Sequence, residues 1–166
     1  MIARSARPDA RLRGFTSTEI LIALVIVGLL AAFGVPSALK YGLRGRLASG
    51  QILLKRIAQE EAAWYQAHHG YATLAQLGYP VSTGLAAIYL DKDGSISAST
   101  SEDSTYRVSV TLNSGNVRTG EAPYFLATAR PVNRQQQETD CGTLSLASTG
   151  QVGASGDSGE ADCWSK

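Results

Sequence analysis

The sequence predicts an α+β fold. A long N-terminal helix, apolar and protruding in its first half and amphipathic in its second, packs on an antiparallel sheet of about four strands. A disulfide-bounded loop closes the C-terminus. Three observations predict this arrangement. Residues 20–35 form a run of sixteen side chains without charge or polarity. Residues 43–64 carry an apolar stripe at helical spacing. Beyond residue 84, four short β-rich runs follow one another, each bounded by turn residues, and the two cysteines, Cys141 and Cys163, come last.

At about 1.5 Å per residue, a helix over residues 15–39 reaches roughly 37 Å, enough to cross the hydrocarbon core of a bilayer. Glu19 stands at the mouth of the apolar run. An ionisable group in a membrane helix costs about 2.5–3.5 kcal/mol near the centre, so it implies a partner and a role. Arg4, Arg7, Arg11 and Arg13 precede the run, against Asp9. They keep the N-terminus cytoplasmic and place everything beyond Pro36 across the membrane. A secretory signal cleaved near Ser37 and Ala38, or a plain anchor, are the simpler readings. Neither accounts for an acid at the start of the apolar core.

Gly14, Phe15, Thr16 and Glu19, followed by an apolar helix and Pro36, resemble the class III signal of type IV pilins. The resemblance implies the pilin fold and a leader, residues 1–14, which a prepilin peptidase removes between Gly14 and Phe15. It implies N-methylation of Phe15, and pairing of Glu19 with the N-terminal amine of a neighbouring subunit during assembly. A carboxylate and an ammonium buried among helices need each other, which agrees with that pairing. The resemblance also implies that Gly28, Gly34 and Pro36 let the helix melt locally as subunits pack. Pro36 alone removes a backbone donor and predicts a kink. Ser17 and Thr18 depart from the family, which usually has apolar residues there. The expected domains are the leader, a transmembrane or filament-core helix half at 15–42, and a globular head at 43–166.

The second half of the helix has its stripe at Leu43, Leu47, Leu54, Ile57, Glu61 and Trp64, with Leu53 and Ala58 alongside. Lys40, Arg44 and Arg46 read as interfacial anchors on a solvated face. His68, His69 and Gly70 end the helix, with glycine the expected left-handed stop. Adjacent histidines point different ways on a helix and make no metal pair. Residues 73–77 predict one short helical turn, stopped by Gly78 and Pro80. Strands are expected at 85–90, 106–112, 124–129 and 143–147.

Across the membrane, two cysteines persist as a disulfide. Closing the loop between Cys141 and Cys163 stabilises the fold by about 3 kcal/mol in the chain-entropy account. Two free thiols are the alternative. No further pair has metal-ligand spacing, so no metal site is expected. The stretch at 71–80, with Gln137, Asp140, Cys141, Gly142, Leu144, Gly150, Cys163 and Trp164, resembles PilE-like type IVa minor pilins. Trp164 is expected to pack near the disulfide.

The formal charge is +1, and about −2 once the leader is removed. Gly156-Asp157-Ser158-Gly159 is like the nucleophile loop of a serine protease, but Glu160 follows it and both histidines end a helix. A serine without a base is a weak nucleophile, so no catalysis and no cofactor are expected. Asp91-Lys92-Asp93-Gly94 begins like a calcium loop. A hairpin turn is the better account, with weak calcium binding at Asp91 and Asp93 left open. Arg107, Arg118, Arg130, Arg134 and Lys166 are scattered, whereas a DNA receptor needs a basic stripe that folding would have to gather.

The reading that results is a structural protein. It is a minor type IV pilus subunit that helps initiate assembly, supporting twitching motility, adhesion or DNA uptake. Its expected partners are the prepilin peptidase, other major and minor pilins, the inner-membrane assembly platform, and inner-membrane lipid before assembly. DNA ranks below these. The expected location is the inner membrane, head periplasmic, and then the extracellular pilus. The alternatives are a pilus-associated adhesin, a DNA-uptake receptor, a major pilin and a type II secretion pseudopilin.

Overall fold

The computed structural model describes residues 15–82, 84, 86–115, 118 and 120–165, with residues 33–40 described by backbone alone. The chain divides into two compact units, Met1–Leu39 and Lys40–Lys166. Helix α1, Ser17–His68, supplies helical residues to both. Within the first unit, the apolar side chains of residues 20–30 are exposed, Leu21 at 64% and Leu30 at 68%.

The second unit is an antiparallel sheet under the amphipathic part of α1. The strands are β1 (Ala87–Asp91), β2 (Ile96–Ser97), β3 (Ser104–Asn113), β4 (Tyr124–Pro131), β5 (Leu144–Ala147) and β6 (Val152–Ala154). Their order is β2-β1-β3-β4-β5-β6. A 3-10 turn, Asn133–Gln137, follows β4, and a short helix α2, Gly159–Trp164, closes the chain. All four expected strands are present, shifted by one to two residues at their ends. Two more were not expected. β2 and β6 have two and three residues, too few to show a period, and sit among serines and glycines.

Strand alternation sends Tyr106 and Val108 to the helix side and Arg107 to the opposite face. Leu53, Leu54 and Ile57 of α1 meet Ile88, Tyr106, Val108, Phe125, Ala129 and Leu144 in the core. Gly50 makes the closest approach possible: a Cβ there would stand 3.2 Å from the Tyr106 ring. The stripe is present, but its buried part begins at Gly50 and Gln51, neither of them among the apolar positions that predict it.

The turn at 73–77 closes once and stops. Leu77 N donates to Thr73 O at 3.1 Å, and Thr73 and Gln76 cap each other through Thr73 N to Gln76 Oε1 at 2.8 Å and Gln76 N to Thr73 Oγ1 at 3.3 Å. The left-handed stop of α1 is His69, at φ 53°, and not the expected Gly70. His69 N still donates to Tyr65 O at 2.9 Å, so the last turn stays closed through the stop.

Cys141 and Cys163 form a disulfide. The tail it holds is more regular than its glycines and serines suggest, because β6 pairs with β5 and Trp164 Nε1 donates to Gly153 O at 3.0 Å. Gln51 Nε2 donates to Cys163 O, which ties this tail to α1. We expect Cys141→Ser with Cys163→Ser to lower the stability of the head by about 3 kcal/mol, read as a shifted denaturation midpoint. An unchanged midpoint would remove the disulfide from the account of stability.

Glu61 is fully buried on the stripe, and its Oε2 accepts from Ala72 N at 2.8 Å. Burial raises its pKa, against the smaller opposite effect of that hydrogen bond. The folded state thus holds the proton to higher pH than the unfolded chain. This contribution to stability is fully present below the ordinary carboxylate range and is lost as pH rises through the folded value. Glu61→Gln keeps an acceptor for Ala72 N and removes the titration. Its stability should depend less on pH than the native chain's between about pH 4 and 7. Parallel thermal unfolding curves for the two proteins at every pH would refute this.

Candidate functional site

The N-terminal element is built on a reciprocal cap. Thr16 N donates to Glu19 Oε2 at 3.4 Å, and Glu19 N donates to Thr16 Oγ1 at 3.2 Å. This is a capping box, in which two otherwise unpaired donors at the helix start are satisfied. Its Thr-x-x-Glu signature is plain in the sequence, where the acid suggested only a charge in need of a partner. Phe15 is 79% exposed beside it. Gly28 has nothing within 4 Å of where a side chain would begin. Gly14 lies outside the described residues, and of Gly34 and Pro36 only the helical backbone is described. Among the described residues, no helix is long and apolar enough to cross a membrane.

The head gathers cations that the sequence scatters. Arg107 of β3 and Arg130 of β4 are direct cross-strand partners, and Tyr89 of β1 stands opposite Arg107 on its other side. The three form one row on the sheet face turned away from α1. The next row on that face is Ser109, Thr128 and Ser145, with Ser109 Oγ and Thr128 Oγ1 hydrogen-bonded at 3.0 Å. Around the same end of the sheet, Arg46 of α1 and Arg134 of the 3-10 turn line a polar cavity of about 250 Å³ with Lys92, Glu102 and Asp103. Lys92 Nζ pairs with Asp103 Oδ1 at 2.7 Å. Arg46, Arg107, Arg130 and Arg134 enter none of the ion pairs found among the described residues. Arg118 belongs to the hairpin at the other end of β3, and Lys166 lies outside the described residues.

Gln135 fixes this end of the sheet. Its Nε2 donates to Leu43 O at 3.1 Å and to Tyr106 Oη at 3.0 Å. Burial raises the Tyr106 pKa far above the ordinary phenol value, so its hydroxyl is neutral there.

The two decoys resolve locally. Asp91 to Gly94 is a turn joining β1 and β2, with Gly94 N donating to Asp91 O at 3.0 Å. Ser104 Oγ donates to Asp91 Oδ1 at 2.7 Å, and Ser95 Oγ and N both donate to Asp93 Oδ1, which lowers the Asp93 pKa. Among the described residues, no three His, Cys, Asp or Glu side chains converge to hold a metal. Ser158 borders a cavity with no histidine in its lining.

An N-terminal helix whose amphipathic part covers an antiparallel sheet, followed by a disulfide-closed C-terminal loop, defines a type IV pilin. Residues 36–145, about two thirds of the chain, match the family described as "Type IV minor pilin ComP, DNA uptake sequence receptor", and the chain belongs to that family. It is also similar to the type IV major pilin protein PilA of Myxococcus xanthus (strain DK1622), 28% identical over 82 residues. That match covers 49% of this chain and 37% of the relative's length.

Proposed function

We propose that this minor pilin enters the type IV pilus through its N-terminal helix and presents a DNA-contacting head, so that it serves DNA uptake. The observation that carries the DNA reading is the pairing of Arg107 with Arg130 across β3 and β4, with Arg46 and Arg134 around the same end of the sheet. Guanidinium groups without carboxylate partners are suited to phosphate oxygens. The hydroxyl row beside them and Tyr89 offer further sugar and phosphate contacts. The family match supports the same reading, whereas the sequence alone sets assembly priming first and DNA below it.

Contacts of this kind give salt-dependent affinity, because each neutralised phosphate releases counterions. Arg107→Ala with Arg130→Ala should weaken binding to duplex DNA about tenfold or more. It should also flatten the slope of log K against log salt by roughly two. The comparison is a salt titration of native and variant protein by fluorescence anisotropy. Equal slopes would overturn the proposed surface.

Assembly is the second reading, favoured by the exposed apolar side chains of residues 20–30 and by Glu19 at the helix start. In it the chain waits in the inner membrane, is cut between Gly14 and Phe15, and is methylated on Phe15. Glu19 then exchanges its contact with Thr16 for the amine of a neighbouring subunit, and the chain helps prime the filament. Glu19→Ala should leave leader cleavage intact and cut the amount of this protein in sheared pili at least tenfold. Native levels of the variant in pili would remove the pairing role.

A further inference from the structure

The polar cavity of about 250 Å³ at the arginine end of the sheet has walls from four parts of the chain. Arg46 comes from α1, Lys92 from the turn between β1 and β2, Glu102 and Asp103 from the approach to β3, and Arg134 from the 3-10 turn. Its remaining members, Ser104, Thr105 and Gln135, are buried and form the floor. Lys92 and Asp103 neutralise each other at 2.7 Å. That leaves two guanidiniums, Arg46 and Arg134, against one carboxylate, Glu102, whose side chain is exposed.

One clamp holds the elements that carry both arginines. Arg134 lies between two anchored residues. On one side, Asn133 Nδ2 donates to Ser101 O at 2.8 Å and to Ser104 O at 3.0 Å. On the other, Gln135 Nε2 donates to Leu43 O, one helical turn before Arg46. The backbones beneath the two arginines are thus tied to one another before any ligand arrives. Preorganised guanidiniums suit the paired oxygens of a phosphate group. The volume lies below the roughly 300–1,000 Å³ of pockets that enclose a whole small molecule, so the cavity fits one charged group and not a nucleotide. Shape selects further. A phosphate inside a DNA strand carries a sugar on each side and needs a groove open at both ends. A terminal phosphate has one substituent and a second ionisation near neutral pH, and it enters a walled cavity head-on.

We propose that this cavity receives the terminal phosphate of a DNA strand, so that the head recognises DNA ends in addition to the backbone along its arginine row. The chemistry recognised is a phosphate group with at least three free oxygens, which inorganic phosphate and a glycerol phosphate headgroup also present. The choice of DNA as the source rests on the DNA reading above; the binding of a phosphate group does not.

The test uses the full chain in detergent micelles. A short, internally labelled duplex with 5′-phosphates is compared with the same duplex bearing 5′-hydroxyls by fluorescence anisotropy. Inorganic phosphate and glycerol 3-phosphate are titrated while the amide NMR shifts of Thr105, Arg134 and Gln135 are followed. The phosphorylated duplex should bind about tenfold tighter than the hydroxyl one, and inorganic phosphate should give saturable shifts at these amides. Arg46→Gln with Arg134→Gln should equalise the two duplexes and remove the shifts. Glu102→Gln should widen the preference severalfold, a gain that a merely structural role would not produce. Arg107→Ala with Arg130→Ala should weaken both duplexes by one factor and keep their ratio. Equal, measurable affinity for the two duplexes overturns end recognition and leaves the DNA reading standing. A preference that survives Arg46→Gln with Arg134→Gln overturns this cavity as its seat. If neither duplex binds while phosphate still shifts the cavity, DNA is overturned as the source and the phosphate site stands. Glycerol 3-phosphate binding tighter than the phosphorylated duplex assigns the site to a lipid headgroup and also overturns DNA. Absence of saturable shifts with phosphate overturns the site.

Discussion

Tyr106 holds the head together at one point. It is wholly buried on β3, and its ring lies against Gly50, so that α1 comes as close to the sheet as its backbone allows. Its hydroxyl accepts from Gln135, whose amide also donates to Leu43 O. One aromatic side chain thus sets the height of the helix over the sheet, and one glutamine amide fixes the 3-10 turn to both. A side chain at position 50 would have to push the Tyr106 ring aside in a packed core, where space for such movement is scarce.

Much of this was legible in the sequence, and the failures have physical causes. The apolar run, the stripe over Leu54 and Ile57, and the strands at 106–112 and 124–129 announce themselves because each repeats long enough to show its period. β2 and β6 do not, since two or three residues next to an existing strand form by pairing and not by propensity. His69 at a positive φ beside an available glycine shows the limit of residue preference. Leu43, Leu47 and Trp64 belong to the stripe by spacing but are only partly buried.

The arginine row was hidden for a different reason. Arg107 and Arg130 are far apart in sequence and meet only through the register of β3 with β4. A shift of one residue would send one of them to the core face, so the surface is a property of pairing, which composition cannot express. The small net charge conceals it further. A chain near neutrality holds strong local fields when its charges are sorted by folding, and the relevant quantity for DNA is the local cluster.

The sorting is sharpest over residues 133–141. Arg134 faces the cation-rich cavity at one side, Gln135 anchors the segment to Tyr106 and Leu43, and Glu138 and Asp140 line an acid-rich cavity at the other. The disulfide at Cys141 ends the segment and joins it to the tail that Gln51 holds against α1. The segment therefore has little freedom at either end. Its opposite charges are kept on separate surfaces, where collapse onto each other would otherwise satisfy both. The disulfide and Gln135 thus do more than add stability: by preventing that local neutralisation, they keep the two charged surfaces apart.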